Sequence, residues 1–199
     1  ALESGMPGER IALHGNVKLY PELSMAIEHG CTINIDSVEE IADIQAIAAE
    51  KGKRVPVLVR VTPGVEAHTH KYIQTGIEDC KFGLGIDNGM AMEAIRTILS
   101  CPNLDFCGIH GHIGSQILED EPYRPTGRNL AAFAMEVESK LGVQVKEINL
   151  GGGFGIMYTE DDTPLPIVEY MKEAKAGLEE VYSAAGKPLP VIGIEPGRR

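Results

Sequence analysis

Val145-Lys146-Glu147-Ile148-Asn149-Leu150-Gly151-Gly152-Gly153-Phe154-Gly155 reads as an apolar strand that runs directly into glycines. Without a Cβ the main chain can approach an anion closely and turn its N–H groups towards it, so a phosphate is the first ligand this stretch suggests. A tight turn with no ligand is the other reading, because glycine clusters often mark only a turn.

Outward from that stretch, short β-rich runs alternate with segments of helical period. Strands are expected at 11–14, 32–36, 55–62, 106–113, 145–150 and 191–195, and helices at 21–29, 38–51, 90–99, 130–141 and 166–185. In the second helix Ile41, Ile44, Ile47 and Ala48 share a face, and Gly52 stops it. Strict alternation of strand and helix predicts an α/β fold with a parallel sheet, since successive parallel strands need a crossover. A barrel and a doubly wound sheet both satisfy the pattern. Two long loops, 63–89 and 114–129, leave the carboxyl ends of strands, where ligands collect in such folds.

Composition narrows the function. A chain of 199 residues with 43% apolar content is sized for one domain or part of a larger one. The net charge of −11 comes from 29 acidic against 18 basic residues, and no basic cluster exceeds Arg198-Arg199, which argues against nucleic acid and anionic membrane as partners. No apolar run reaches the ~18 residues that cross a bilayer. The start, Ala1-Leu2-Glu3-Ser4-Gly5, lacks the features of a signal peptide, so a cytoplasmic location is expected. Cys31, Cys80, Cys101 and Cys107 form no Cys-x-x-Cys pair and are expected to be ordinary reduced thiols. With no initiator Met, the chain reads as an excised piece.

Two further constellations could carry chemistry. His110-Gly111-His112 lies in a strand-like run, whose period of two puts both imidazoles on one face. The pair could bind a divalent metal, stack on an aromatic cofactor or be structural. A metal would need more ligands, for which His14, Asp36 and Glu195 are the candidates. Gly114-Ser115-Gln116 follows the pair and offers a hydroxyl and amides better suited to an anion than to a cation. Ile194-Glu195-Pro196-Gly197-Arg198 then places a carboxylate at a strand end, a rigid turn, and a guanidinium whose fork fits phosphate or a substrate carboxylate. An internal Glu195–Arg198 ion pair is the plainer alternative.

Taken in order, His112-Ile113-Gly114-Ser115-Gln116, Gly151-Gly152-Gly153-Phe154-Gly155 and Glu195-Pro196-Gly197-Arg198 resemble the fold-type III, pyridoxal-phosphate-dependent decarboxylases, and among them the diaminopimelate decarboxylases. His14-Gly15-Asn16 with Lys18, Asp36-Ser37, Arg60-Val61-Thr62-Pro63-Gly64, His68-Thr69-His70, Thr75-Gly76 and Lys81-Phe82-Gly83 extend the likeness over nearly the whole chain. The resemblance implies a (β/α)8 TIM-type barrel of the alanine racemase kind, here with about six of eight strands, the first two missing. It also implies pyridoxal 5'-phosphate as cofactor. His112 would stack on the ring, Ser115 and Gly151, Gly152 and Gly153 would hold the phosphate within a cradle completed by Pro196 and Gly197, and Glu195 would bond the ring nitrogen. Arg198 would reach the phosphate or the substrate carboxylate, and Arg60 would orient Glu195. No residue is assigned to a metal.

The implied reaction is decarboxylation of meso-diaminopimelate to L-lysine by a homodimeric parent with shared sites. Residues 1–199 would form a partial cofactor-binding barrel without the carboxyl-terminal β domain. The family's Schiff-base lysine falls before Ala1, Lys18 and Lys81 match other positions, and the segment alone is expected to be inactive. The alternatives are an ornithine or arginine decarboxylase on the same barrel, a metal-dependent barrel hydrolase using His110 and His112, and a non-catalytic cofactor-binding module.

Overall fold

The computed structural model of the protein describes residues 1–65 and 82–197. His68-Thr69-His70, Thr75-Gly76, Cys80, Lys81 and Arg198 therefore lie outside the described residues. Two 3-10 turns, Leu2–Ser4 and Gly8–Arg10, precede the alternating elements: β1 (Ala12–Leu13), α1 (Tyr20–Glu28), β2 (Thr32–Ile35), α2 (Glu40–Glu50), β3 (Val55–Thr62), β4 (Leu84–Gly85), α3 (Met90–Ser100), β5 (Leu104–Gly111), α4 (Tyr123–Leu141), β6 (Glu147–Asn149), α5 (Ile167–Ala184) and β7 (Val191–Gly193).

Every described strand pair is parallel, and the sheet runs β1-β2-β3-β5-β6-β7 with the short β4 added beside β3. Doubly wound sheets reverse their strand order at a switch point. Here the order follows the chain without reversal, as in a barrel wall, and this half-barrel settles the choice the pattern left open. β4 falls within the stretch read as loop 63–89; two residues are too few to carry a period. α4 begins at Tyr123 rather than 130, because Pro125 occupies the first turn, where a missing N–H costs nothing.

β3 and β5 are buried along most of their length; α3 packs on both, α4 on β5 and α5 on α4, and Ile44, Ile95, Leu130 and Leu178 are fully buried. The helices α4 and α5 approach unusually closely. A Cβ on Gly127 would lie 2.3 Å from the Ala174 carbonyl oxygen, and one on Gly177 2.0 Å from that of Arg124. No described helix is long and apolar enough to cross a membrane. Cys31, Cys101 and Cys107 are free thiols.

Register decides what shares the sheet's carboxyl edge. Arg60 pairs with His110, His110 with Asn149, and Asn149 with Gly193, so a polar row crosses β3, β5, β6 and β7. Ile35 pairs with Val59, which brings Asp36 level with Arg60. Glu195 follows β7 by two residues at the same end.

Candidate functional site

A cavity of about 280 Å³ opens at that edge, lined by His14, Arg60, His110, His112, Ser115, Gly152, Gly153, Phe154, Ile156, Glu195 and Gly197. Residues quoted from three separate motifs thus meet in one place. Pro196 and Gly197 line an adjoining cavity with Phe154, Ile156 and Leu165. Gly151 lies buried behind the wall.

Glu195 is the centre of the polar network. Its Oε1 accepts from Asn149 Nδ2 at 3.1 Å and lies 3.0 Å from His14 Nε2. Among the described residues its Oε2 has His110 Nε2 at 3.7 Å, which is longer than a hydrogen bond and leaves a lone pair towards the cavity. Burial opposes its charge, but the imidazoles of His110 and His14 outweigh burial and hold its carboxyl well below the usual range. Asn34 Nδ2 lies 2.9 Å from His14 Nδ1 and donates to it, which leaves the ring proton on Nε2, facing Glu195. Asn149 also accepts the Gly151 N–H at 2.9 Å, so one carboxamide ties the carboxylate to the first glycine of the loop.

The two histidines of the strand motif differ in role. His110 is 2% exposed, its Nδ1 has no partner among the described residues, and burial lowers its pKa. His112 lies just past β5. Burial, then the charges of Arg60 and His110, bring its pKa down to about 4, so its ring is neutral at neutral pH. The Gly152 N–H donates to its Nδ1 at 3.3 Å.

Two of the three glycine amides are therefore engaged inside the protein. The amides of Gly153 and Gly197 make no hydrogen bond among the described residues, and the Ser115 hydroxyl stands beside them at the rim. Gly153 has φ 90, and a Cβ there would lie 2.0 Å from the Gly114 carbonyl oxygen, so this position accepts only glycine.

Loop 114–117 and the glycine loop are fastened together. Ile117 N–H donates to Gly153 O at 2.9 Å, Gly155 N–H to Ile117 O at 2.8 Å, and Gln116 exchanges bonds with Ile156, 2.5 Å to its carbonyl and 3.1 Å from its amide. These bonds hold Gln116 in the left-handed region at φ 57, a conformation costing on the order of 1 kcal/mol for a residue with a Cβ. Beneath them Phe154 stacks on Tyr123 at 5.4 Å, and both rings meet Tyr170, so the first turns of α4 and α5 set the height of the loop.

Arg60 does not orient Glu195. It pairs with Asp36 at 3.3 Å and its guanidinium lies 4.7 Å from the Phe82 ring centroid; the groups that orient Glu195 are His14 and Asn149. Asn34 and Asn149 were missed by the sequence reading, although an asparagine inside an apolar strand is a signal of a buried polar contact. No described lysine lines the cavity. Lys18 is buried elsewhere, its Nζ bonded to Gly15 O at 2.8 Å and to Glu40 at 2.6 Å.

A ring bearing a cationic nitrogen and a phosphate fits this donor set: an ionised carboxylate with a free lone pair, a neutral imidazole, and a hydroxyl with two unengaged amides. Comparison with known proteins agrees. The pyridoxal binding domain of the pyridoxal-dependent decarboxylases matches residues 1–199. The diaminopimelate decarboxylases of Bacillus methanolicus and Bacillus subtilis are 43% and 44% identical to the whole chain, which spans 46% and 45% of their lengths, a little under half. Among solved structures, the diaminopimelate decarboxylase of Helicobacter pylori complexed with L-lysine superposes with a TM-score of 0.86 at 28% identity, over 98% of this chain and 47% of that one. That of M. jannaschii gives 0.83 at 32% identity, over 98% and 45%. The chain belongs to the pyridoxal-dependent decarboxylase family and corresponds to its pyridoxal-binding domain.

Proposed function

We propose that this chain is the cofactor-holding part of a decarboxylase that converts meso-diaminopimelate to L-lysine. The observation that carries the reading is Glu195: an ionised carboxylate at a strand end, facing the same cavity as His112, Ser115 and Gly153. Bound there, pyridoxal phosphate supplies an electron-accepting ring for the pair released when a Cα–carboxylate bond breaks. Glu195 keeps the proton on the ring nitrogen through its free Oε2 lone pair. His14 and Asn149 fix the carboxylate's plane, while His112, neutral and held through Nδ1, offers its face to the ring. Ser115 with the Gly153 and Gly197 amides takes the phosphate; Gly151 and Gly152 shape the loop. Arg198 serves phosphate or substrate carboxylate on the strength of the motif.

The substrate follows from the relatives, since those at 43% and 44% identity are diaminopimelate decarboxylases. β1 and β7 each pair on one side only among the described residues, which is where further strands of a larger barrel would join. The same reading makes the whole protein a homodimer with shared sites. The test is carbon dioxide release from meso-diaminopimelate by the full reading frame with pyridoxal phosphate. Turnover there, with kcat lowered about 100- to 1,000-fold by Glu195→Ala, supports the assignment. Turnover of ornithine or arginine instead would move the substrate and keep the site.

A further inference from the structure

We propose that His14, His110 and Glu195 form a divalent-cation site, of the kind that takes zinc, which the chain fills when the cofactor is absent and which excludes pyridoxal phosphate while filled. One ligand atom from each of the three lies within 4.8 Å of the others. Zinc bonds imidazole nitrogen and carboxylate oxygen at ~2.0–2.2 Å, so a tetrahedral site spaces its donors ~3.3–3.4 Å apart. The observed His14–Glu195 and His110–Glu195 separations, 3.0 and 3.7 Å, straddle that value. Side-chain rotations on the order of 1 Å would close the set around an ion.

The imidazoles meet edge on, centroids 5.0 Å apart and planes at 62°, with both Nε2 atoms directed to the one carboxylate. Metal ligands need outer support: Asn149 gives it to Glu195, and His14 ligates through Nε2 once its proton moves to Nδ1 and the Asn34 carboxamide turns its unpartnered Oδ1 to accept it. His110 has none on Nδ1, which makes it the least firmly held ligand and sets a reversible rather than a structural site. Arg60, which lines the same cavity, is paired with Asp36. The cavity leaves the fourth position open to water, the arrangement of zinc sites with three protein ligands.

The structure pairs His110 with His14 rather than with His112, whose Nδ1 accepts the Gly152 N–H. This differs from the histidine pair suggested by sequence spacing. The exclusion of the cofactor rests on the reading of Glu195 given above, because an ion on that carboxylate sets a positive charge against the cationic ring nitrogen; the cation site itself does not rest on it.

The experiment is titration of the cofactor-free protein, made from the full reading frame, with Co²⁺, then displacement by Zn²⁺, followed by pyridoxal phosphate uptake at several zinc occupancies. One Co²⁺ per chain with visible tetrahedral absorption, and cofactor uptake that falls as zinc fills the site, is the expected result. His14→Gln and the isosteric Glu195→Gln each weaken zinc binding at least tenfold, and His112→Gln leaves it unchanged, with circular dichroism confirming the fold of each. No stoichiometric binding, or binding unaltered in both Glu195→Gln and His14→Gln, overturns the site. Cofactor uptake indifferent to saturating zinc overturns the exclusion alone. Zinc binding without any uptake of pyridoxal phosphate leaves the cation site standing and overturns the cofactor reading.

Discussion

Asn149 shows how much one carboxamide can carry. It is 7% exposed, donates to Glu195 at 3.1 Å and accepts from Gly151 at 2.9 Å, so it sets both the carboxylate and the start of the glycine loop. Asn149→Ala leaves a buried N–H without its acceptor and is expected to cost about 1–3 kcal/mol in urea unfolding. Asn149→Asp retains an acceptor for Gly151 but sets a second carboxylate against Glu195, raising the pKa of the pair. Cofactor affinity in Asn149→Asp should therefore weaken more steeply as pH falls than in the unaltered chain, as measured by fluorescence titration with pyridoxal phosphate. A flat difference across pH would show that Asn149 acts only on the loop. The sequence carried part of this: Glu195, His112, Ser115 and the glycines were identifiable from local motifs. The partner on Glu195 was not, because His14 sits at the other end of the chain and nothing local ties the two.

Among the elements, legibility tracked length and burial. β3, Val55–Thr62, is found where its β-branched run places it, and both ends of α3 fall within a residue of the expected 90–99. Other strands shrank: β1 keeps two residues and β7 three at the ends of the described sheet, and β6, paired on both sides, also keeps three. α4 was read short because Pro122 and Pro125 look like breakers, whereas they begin the helix. The close crossing of α4 on α5 at Gly127 and Gly177 could not be read from periodicity, which marks a face but not a distance. It has a consequence for the site, because Tyr123 and Tyr170 stand on the first turns of these helices and support Phe154. Gly177→Val drives side-chain atoms into the α4 backbone and is expected to destabilise by about 1–3 kcal/mol or more, as overpacking does. A Phe154-dependent loss of cofactor affinity should accompany it, and an unchanged affinity would show that the loop is held by Gln116 and Ile117 alone.

At the scale of the whole molecule, the polar row that makes the site also makes stability depend on pH. His112 is held at about 4 in the fold against an ordinary 6.5, first by burial and then by Arg60 and His110, with Glu195 pulling the other way. The unfolded chain binds a proton at this imidazole as pH falls below 6.5, while the folded chain does not until about 4. Stability is thus fully present above 6.5 and is lost progressively on acidification towards 4. Burial lowers His110 in the same sense, and Glu195, held below the usual carboxylate range, adds its own loss at still lower pH. The expected outcome is a urea midpoint level near neutrality that declines below pH 6.5, with a shallower decline in His112→Asn, which removes the group that titrates. A variant curve parallel to that of the unaltered chain would place the acid sensitivity on His110 and Glu195 instead. In either case the groups responsible lie at the carboxyl edge of the sheet, so acid acts on the site before it acts on the apolar core beneath.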